Sequence, residues 1–319
     1  MSTYLRKRLL LLFFALLIVI ILALINGAVS LPINKLLLKE NQVILNLRFL
    51  RILTAILVGS GLGVCGIALQ AILRNPLAEP YLLGTSSGAS LGAVIAVISG
   101  ISRIYMPLAA FIGAIASIIL VYTLAKEGNR ISDKSLILSG VIVSIAFSSI
   151  VVFLVSISGE KAMHEIIWWL WGSLEVYDWR LIALVSLPVL LGIAIIFIFS
   201  QDLNAISIGE EEAMHLGINT QNMKKILIVI TALITASLIC ICGIIGFVGL
   251  IIPHMMRIIV GPNHKVLIPT SCLAASIFMV ICDMFSRTLF TPVEIPIGVI
   301  TAIIGAPVFI ILLKKGKRF

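Results

Sequence analysis

Chemistry on a protein needs clustered polar groups, and this sequence offers few. No G-x-x-x-x-G-K-[ST] occurs, so the chain has no loop of its own to cradle nucleotide phosphates. There is no H-E-x-x-H and no G-x-S-x-G, and the histidines and carboxylates are scattered. Cys65, Cys240, Cys242, Cys272 and Cys282 all sit inside apolar runs, and the C-x-C at 240–242 has no matching pair. They read as small buried hydrophobes, with neither a disulfide framework nor a metal site. Met163 and His164 are neighbours without ligand spacing, and an interfacial histidine is the better reading. No catalytic residue and no cofactor are therefore expected.

The polar stretch 201–225 is the most informative. Ser207-Ile208-Gly209-Glu210 fits a capping box, and Glu210, Glu211 and Glu212 place negative charge at a helix start. Ala213, Met214, His215 and Leu216 follow, and Gly217 suits a left-handed cap. Thr220 then starts a second short helix towards Lys224 and Lys225. A short amphipathic pair of this kind fits a groove on a soluble motor; the alternative is a structured loop that binds nothing.

Arg48, Arg51 and Arg287 could hold carboxylates bidentately on a partner. Arg287 has a second reading, a local pair with Asp283 four residues earlier. Gly140, Ser144 and Ser148 recur every four residues, a small and weakly polar stripe that suits either a pore wall or close helix packing. Gly59-x-x-x-Gly63 and Gly84-x-x-x-Gly88-x-x-x-Gly92 read as packing sites.

The elements that position these residues must be membrane helices. Of 319 residues 61% are hydrophobic and 12% charged, where soluble domains are about half apolar and a quarter charged. A spanning helix needs about 20 apolar residues, and open strands cannot cross lipid. Apolar runs predict about ten spans, near 9–29, 50–72, 81–100, 105–125, 135–157, 181–200, 226–245, 247–260, 266–288 and 296–313, in a single transmembrane domain over 1–319. The seventh and eighth, separated only by Gly243, Gly246, Gly249 and Pro253, could instead be one kinked helix. The first run follows Arg6, Lys7 and Arg8 and is too long for a signal peptide, so it reads as an uncleaved helix.

With the N-terminus inside, fifteen Lys and Arg fall on the cytoplasmic side and eight outside, as the positive-inside rule requires, and both termini are cytoplasmic. The net charge of +9 thus reflects loops facing the cytoplasm, not a nucleic-acid partner. The outer segment 158–180 holds all four tryptophans, as a helix lying at the lipid interface would; Trp168, Trp169 and Trp171 are its anchors.

Four blocks carry a resemblance. GIALQAILRNPLAEPYLLGTSSG (66–88), GIIGFVGLIIPHMMR (243–257), EIPIGVITAIIGAPVFIILL (294–313) and the EEEAMHLGI run are similar to the permeases of ABC importers for iron-siderophores, haem and cobalamin, the FecCD-type family, over nearly the whole chain. The resemblance implies a permease subunit of an ATP-driven, type II importer working by alternating access in the bacterial cytoplasmic membrane. Such permeases have ten helices per subunit and form homodimers with a pathway along the dimer axis. One ATPase docks on each permease, two per transporter, and an extracytoplasmic binding protein delivers the ligand. Glu210 to Gly217 would be the coupling helix. Asn75 and Leu77 would narrow the cytoplasmic end of the pathway, and Ser132 to Ser135 would form a second constriction, where this sequence departs with Asp133 and Lys134. Arg48, Arg51 and Arg287 would pair with glutamates of the binding protein, while His215 and His254 fall in family blocks and read as structural. An iron-siderophore is the first expectation for the ligand, followed by haem and cobalamin.

Other classes fit less well. An ion-coupled secondary transporter needs ionisable groups near the midplane, and here Asp and Glu lie almost entirely in expected loops. A structural scaffold would leave the 201–225 stretch unexplained.

Overall fold

The computed structural model describes residues 3–27, 39–128 and 130–316; Ser30 and Lys35 in the first outer segment, with Lys317 and Arg318, lie outside the described residues. The described helices are α1 (Thr3–Ile25), α2 (Gln42–Ile72), α3 (Thr85–Ile98), α4 (Met106–Ala125), α5 (Asp133–Ser156), α6 (Glu160–Leu170), α7 (Trp179–Ile198), α8 (Ser200–Ile208), α9 (Glu210–His215), α10 (Thr220–Cys242), α11 (Val248–Val260), α12 (His264–Thr288) and α13 (Ile297–Gly316). Apart from a two-residue antiparallel pairing of 126–127 with 130–131, the regular structure of the described residues is all helical.

Ten of these helices fall on the ten expected spans. Seven are long and apolar enough to cross a membrane, while α3, α11 and α13 are shorter apolar helices. The doubtful boundary is a real break: α10 stops at Cys242, and five non-helical residues follow before α11. Gly243 and Phe247 both take the left-handed conformation there (φ 68° and 71°), which a continuous helix excludes.

Helix α2 is the axis of the bundle. Every residue from Leu57 to Ile72 is buried, and α12, α11, α10 and α7 pack around it. A helix apolar on all sides has to be enclosed in this way. Enclosure without bulk requires small residues at the crossings. A Cβ on Gly59 or Gly63 would press on Ala275 of α12, and one on Gly66 would collide with the Gly249 carbonyl of α11. Gly88 and Gly92 meet Gly113 and Ala109 of α4 in the same manner. The packing reading therefore holds at these glycines.

Gly140 needs a correction. Its missing side chain admits the Leu82 carbonyl, so it is a packing position and not part of an open wall. Ser144 and Ser148 do line an open groove of about 510 Å³ on α5, with Ile145, Ser149 and Val152. The tryptophan-rich segment forms α6, an 11-residue helix on α3 and α5, with Trp168 and Trp171 exposed and their rings 5.9 Å apart.

Candidate functional site

Three polar regions interrupt the apolar bundle. The first lies at the end that the charge count assigns to the cytoplasm. Helix α2 ends there in a Schellman motif, with Asn75 N–H donating to Gln70 C=O and Arg74 N–H to Ala71 C=O, both at 3.2 Å. The left-handed residue of that motif is normally glycine; here it is Arg74, at φ 46°, and the side chain costs about 1 kcal/mol of backbone strain. Asn75 Oδ1 accepts from Leu77 N–H at 2.9 Å, which shapes the turn and leaves Leu77 half exposed.

Helix α9 stands beside this turn. Its first turn carries Glu210, Glu211 and Glu212, and Gly217 closes it at φ 84° with a Schellman pair of its own, Gly217 N–H to Met214 C=O and Ile218 N–H to Ala213 C=O. Ala213 is fully buried, whereas Met214 and Leu216 are 54% and 71% exposed and His215 is exposed on the same short helix. Two details of the sequence reading are corrected here. Ser207 does not cap α9; it lies inside α8, and its hydroxyl donates to the Leu203 carbonyl four residues back. Thr220 begins a helix of 23 residues, the span α10, with Asn219 as its cap, and not a second short helix.

Charge ties these pieces together. Lys224 on α10, 2% exposed, places its ammonium 2.5 Å from Asp133 at the start of α5 and 2.5 Å from Glu210 at the start of α9. Arg74 reaches the same two carboxylates at 3.5 and 3.3 Å. A buried ammonium is tolerable only when paired, and two carboxylates meet that need. The cluster brings together α9, the turn at Asn75–Leu77 and the first turn of α5, where Ser135 lies half-buried. Those are the expected coupling element and both expected constrictions. In the sequence Asp133 stands out only as a departure, and Lys224 and Arg74 only as cytoplasmic charges, with nothing to join them.

The second region is deeper. The segment from Asn75 to Gly84 turns back along α2 before α3 begins, and packs on the break between α10 and α11. Phe247 N–H donates to Glu79 Oε1 at 2.8 Å. The Tyr81 hydroxyl donates to the Ile245 carbonyl at 3.0 Å and accepts from Ile245 N–H at 3.2 Å. Non-helical backbone at membrane depth survives only where protein groups satisfy it, and Glu79 and Tyr81 do so. The Asn75–Gly84 segment thus supports the break between α10 and α11 as well as carrying the Asn75–Leu77 turn.

The third region lies at the opposite end. Arg51 donates to Asp283 at 2.5 Å and to Glu294 at 2.7 Å, and also contacts Glu175 at 3.2 Å. Arg287 forms an ion pair of 2.9 Å with Asp283, the local reading offered for it above. Its guanidinium also donates to the Ala23 and Asn26 carbonyls, while Arg48 donates to those of Leu24 at 2.6 Å and Ile25 at 3.0 Å. Arg48 and Arg287 therefore cap the C-terminal carbonyls of α1, the favoured place for cations on a helix. All three arginines expected to meet a binding protein's glutamates have partners within the chain as well, and they line a cleft of about 250 Å³ together with Glu175, Tyr177 and Glu294. Burial, ahead of the opposing pull of Arg51, raises the Glu294 carboxyl above its usual range. Burial followed by the Glu175 charge does the same to the Tyr177 hydroxyl.

Asp283 is fully buried and serves two guanidiniums, so Asp283→Asn leaves buried positive charge uncompensated. The expected cost is about 3 kcal/mol, read as a lower melting temperature of the purified chain, whereas Glu175→Gln at the exposed edge should change it little.

A bundle of ten apolar helices, with a small helix exposing apolar residues at one end, defines a polytopic membrane protein. The FecCD transport family matches residues 15–315, and the chain belongs to that family. It is 38% identical over 275 residues to the cobalamin import system permease protein BtuC of Halobacterium salinarum, covering 86% of this chain and 74% of that one. To the Fe(3+) dicitrate transport system permease protein FecD of Escherichia coli it is 35% identical over 275 residues, 86% and 85% of the two chains. A solved structure described as an inward-facing conformation of a metal-chelate type ABC transporter superposes with a TM-score of 0.88 at 36% identity, covering 98% of this chain and 99% of that one. Further relatives carry the names of haemin and molybdate permeases.

Proposed function

We propose that two copies of this chain form the membrane channel of an ATP-driven importer for a metal chelate, foremost an iron-siderophore, with haem and cobalamin as the next ligand classes. The observation that carries this reading is α9. Its apolar residues Met214 and Leu216 point to solvent, while Glu210 beside them is bonded into the cluster of Lys224, Asp133 and Arg74. A surface that exposes hydrophobes on one side and is wired to two other elements on the other suits a coupling helix seated on an ATPase, one per permease.

Alternating access follows from this arrangement. A loaded binding protein docks over the outer cleft, and its carboxylates compete with Glu175, the most exposed and most distant partner of Arg51. ATP binding closes the two ATPase subunits, α9 moves with them, and the turn at Asn75–Leu77 and the start of α5 follow. The groove at Ser144 and Ser148 faces the dimer axis, weakly polar and free of fixed charge, so a bulky ligand can leave as readily as it enters. Both termini lie in the cytoplasm of a bacterium whose inner membrane holds the complex.

The relatives named for ferric citrate and the metal-chelate transporter support a chelate, and cobalamin and haemin relatives keep the other two ligands in the test. Proteoliposomes holding this chain, its ATPase and its binding protein are offered radio-iron siderophores, haem and cobalamin, with ATP inside or withheld. ATP-dependent accumulation of an iron-siderophore is the expected result. Accumulation of another ligand reassigns the substrate, and uptake driven by a proton or sodium gradient without ATP overturns the importer reading.

A further inference from the structure

The four charges at the cytoplasmic end are not equivalent. Lys224 is buried, and both its contacts are 2.5 Å. Arg74 is 45% exposed on its side chain, and its contacts to the same carboxylates are 3.3 and 3.5 Å. Water and salt screen an exposed, loose pair and leave a buried, tight one almost untouched. When the cluster is pulled, the Arg74 contacts part first. Arg74 also sits in a left-handed backbone conformation that its side chain disfavours, at the C-terminal end of α2, one residue before the Asn75–Leu77 turn. Its backbone bonds back onto α2, through Arg74 N–H to the Ala71 carbonyl, and its guanidinium is the group that ties it to α5 and α9. Lys224, by contrast, joins α5, α9 and α10 without touching the turn.

We infer that Lys224 is a fixed joint that makes α9 and the start of α5 move together, and that Arg74 is a releasing joint that opens the Asn75–Leu77 turn when α9 moves. Both are positioning residues for transport, and neither touches the ligand. The inference rests on the reading of α9 as the coupling helix, and its test keeps the two apart.

Leu77→Cys, half exposed on the turn, reports the position of that turn through its labelling rate with a membrane-impermeant maleimide. The full complex of this variant with its ATPase is labelled without nucleotide and with ATP plus vanadate, against a parent lacking the added cysteine. A change of about tenfold with nucleotide is expected, the scale of an ordinary coupling between sites. Adding Lys224→Met should leave the ATPase bound through Met214 and Leu216 but abolish the nucleotide response, and Lys224→Arg should restore it. Adding Arg74→Gly, which removes the charge and relieves the backbone strain, should leave the protein folded and give fast labelling in both conditions. A Lys224→Met complex that responds to nucleotide like its parent overturns the inference, as does an Arg74→Gly complex that labels slowly without nucleotide. An unsubstituted chain that does not retain the ATPase overturns the coupling reading itself.

Discussion

Gly66→Val is expected to prevent the chain from accumulating as a folded protein in the membrane. Gly66 lies in the fully buried half of α2, and the Gly249 carbonyl of α11 occupies the space that a side chain would need. The opposing atoms are backbone, so no rotamer change makes room. Gly249 is itself held, because Pro80 and the Leu62 carbonyl lie where its own Cβ would be. Gln70 Nε2, one turn further along α2, also reaches the Gly249 and Leu250 carbonyls at 3.3 and 3.4 Å. The two helices must separate, and the close approach that replaces the hydrophobic drive between helices in lipid is lost. The cost should exceed the roughly 3 kcal/mol that bounds ordinary overpacking. Size-exclusion yield and thermal melting of the purified chain measure it. Gly100→Ala, where no atom lies within 4 Å of the added carbon, is the control for a glycine change in open space, although its φ of 67° makes a small strain cost of its own.

The contrast between what the residue order reveals and what it conceals has a physical basis in this chain. Apolar run length specifies a spanning helix because lipid imposes one solution, and all ten runs became helices. Breakers near 243–253 raised the possibility of a break, and the left-handed Gly243 and Phe247 supply it. Local caps were half legible: Gly217 follows from backbone freedom alone, while Ser207 has the right spacing for a capping box but is drawn into α8 by its bond to Leu203. The charge cluster was illegible, because its members are brought together by the crossing of α2, α5, α9 and α10. Asp133 and Lys224 are 91 residues apart, and Arg74 and Glu210 are 136 apart. Spacing rules apply within an element and carry no information at that range. The outer arginines show a complementary limit: their residue type suits a partner's carboxylate, and equally the chain's own Asp283 and the orphan carbonyls of α1. Only the tertiary arrangement reveals the intrachain partners.

Met214→Glu combined with Leu216→Glu is expected to abolish assembly with the ATPase while leaving the permease folded. Both side chains are exposed, Met214 on α9 and Leu216 at its C-cap, so charges there meet water in the free chain and cost it little. Seated in a groove, the same carboxylates would have to be desolvated without partners, next to Glu210, Glu211 and Glu212. A handful of well-buried apolar anchors supplies most of the energy of such an interface, and losing one costs roughly 2 kcal/mol or more. Two losses, with a charge added at each, should reduce affinity by more than about a thousandfold by the usual conversion. Co-purification of the ATPase reads the assembly, and the melting temperature of the isolated permease reads the fold. Ala213→Glu provides the opposite pattern, since Ala213 is buried within the chain itself. It should lower the melting temperature first and lose the ATPase only as a consequence. Retained assembly in the double variant would mean that α9 is an ordinary surface loop, and the ATPase would then have to be sought against another part of the cytoplasmic end.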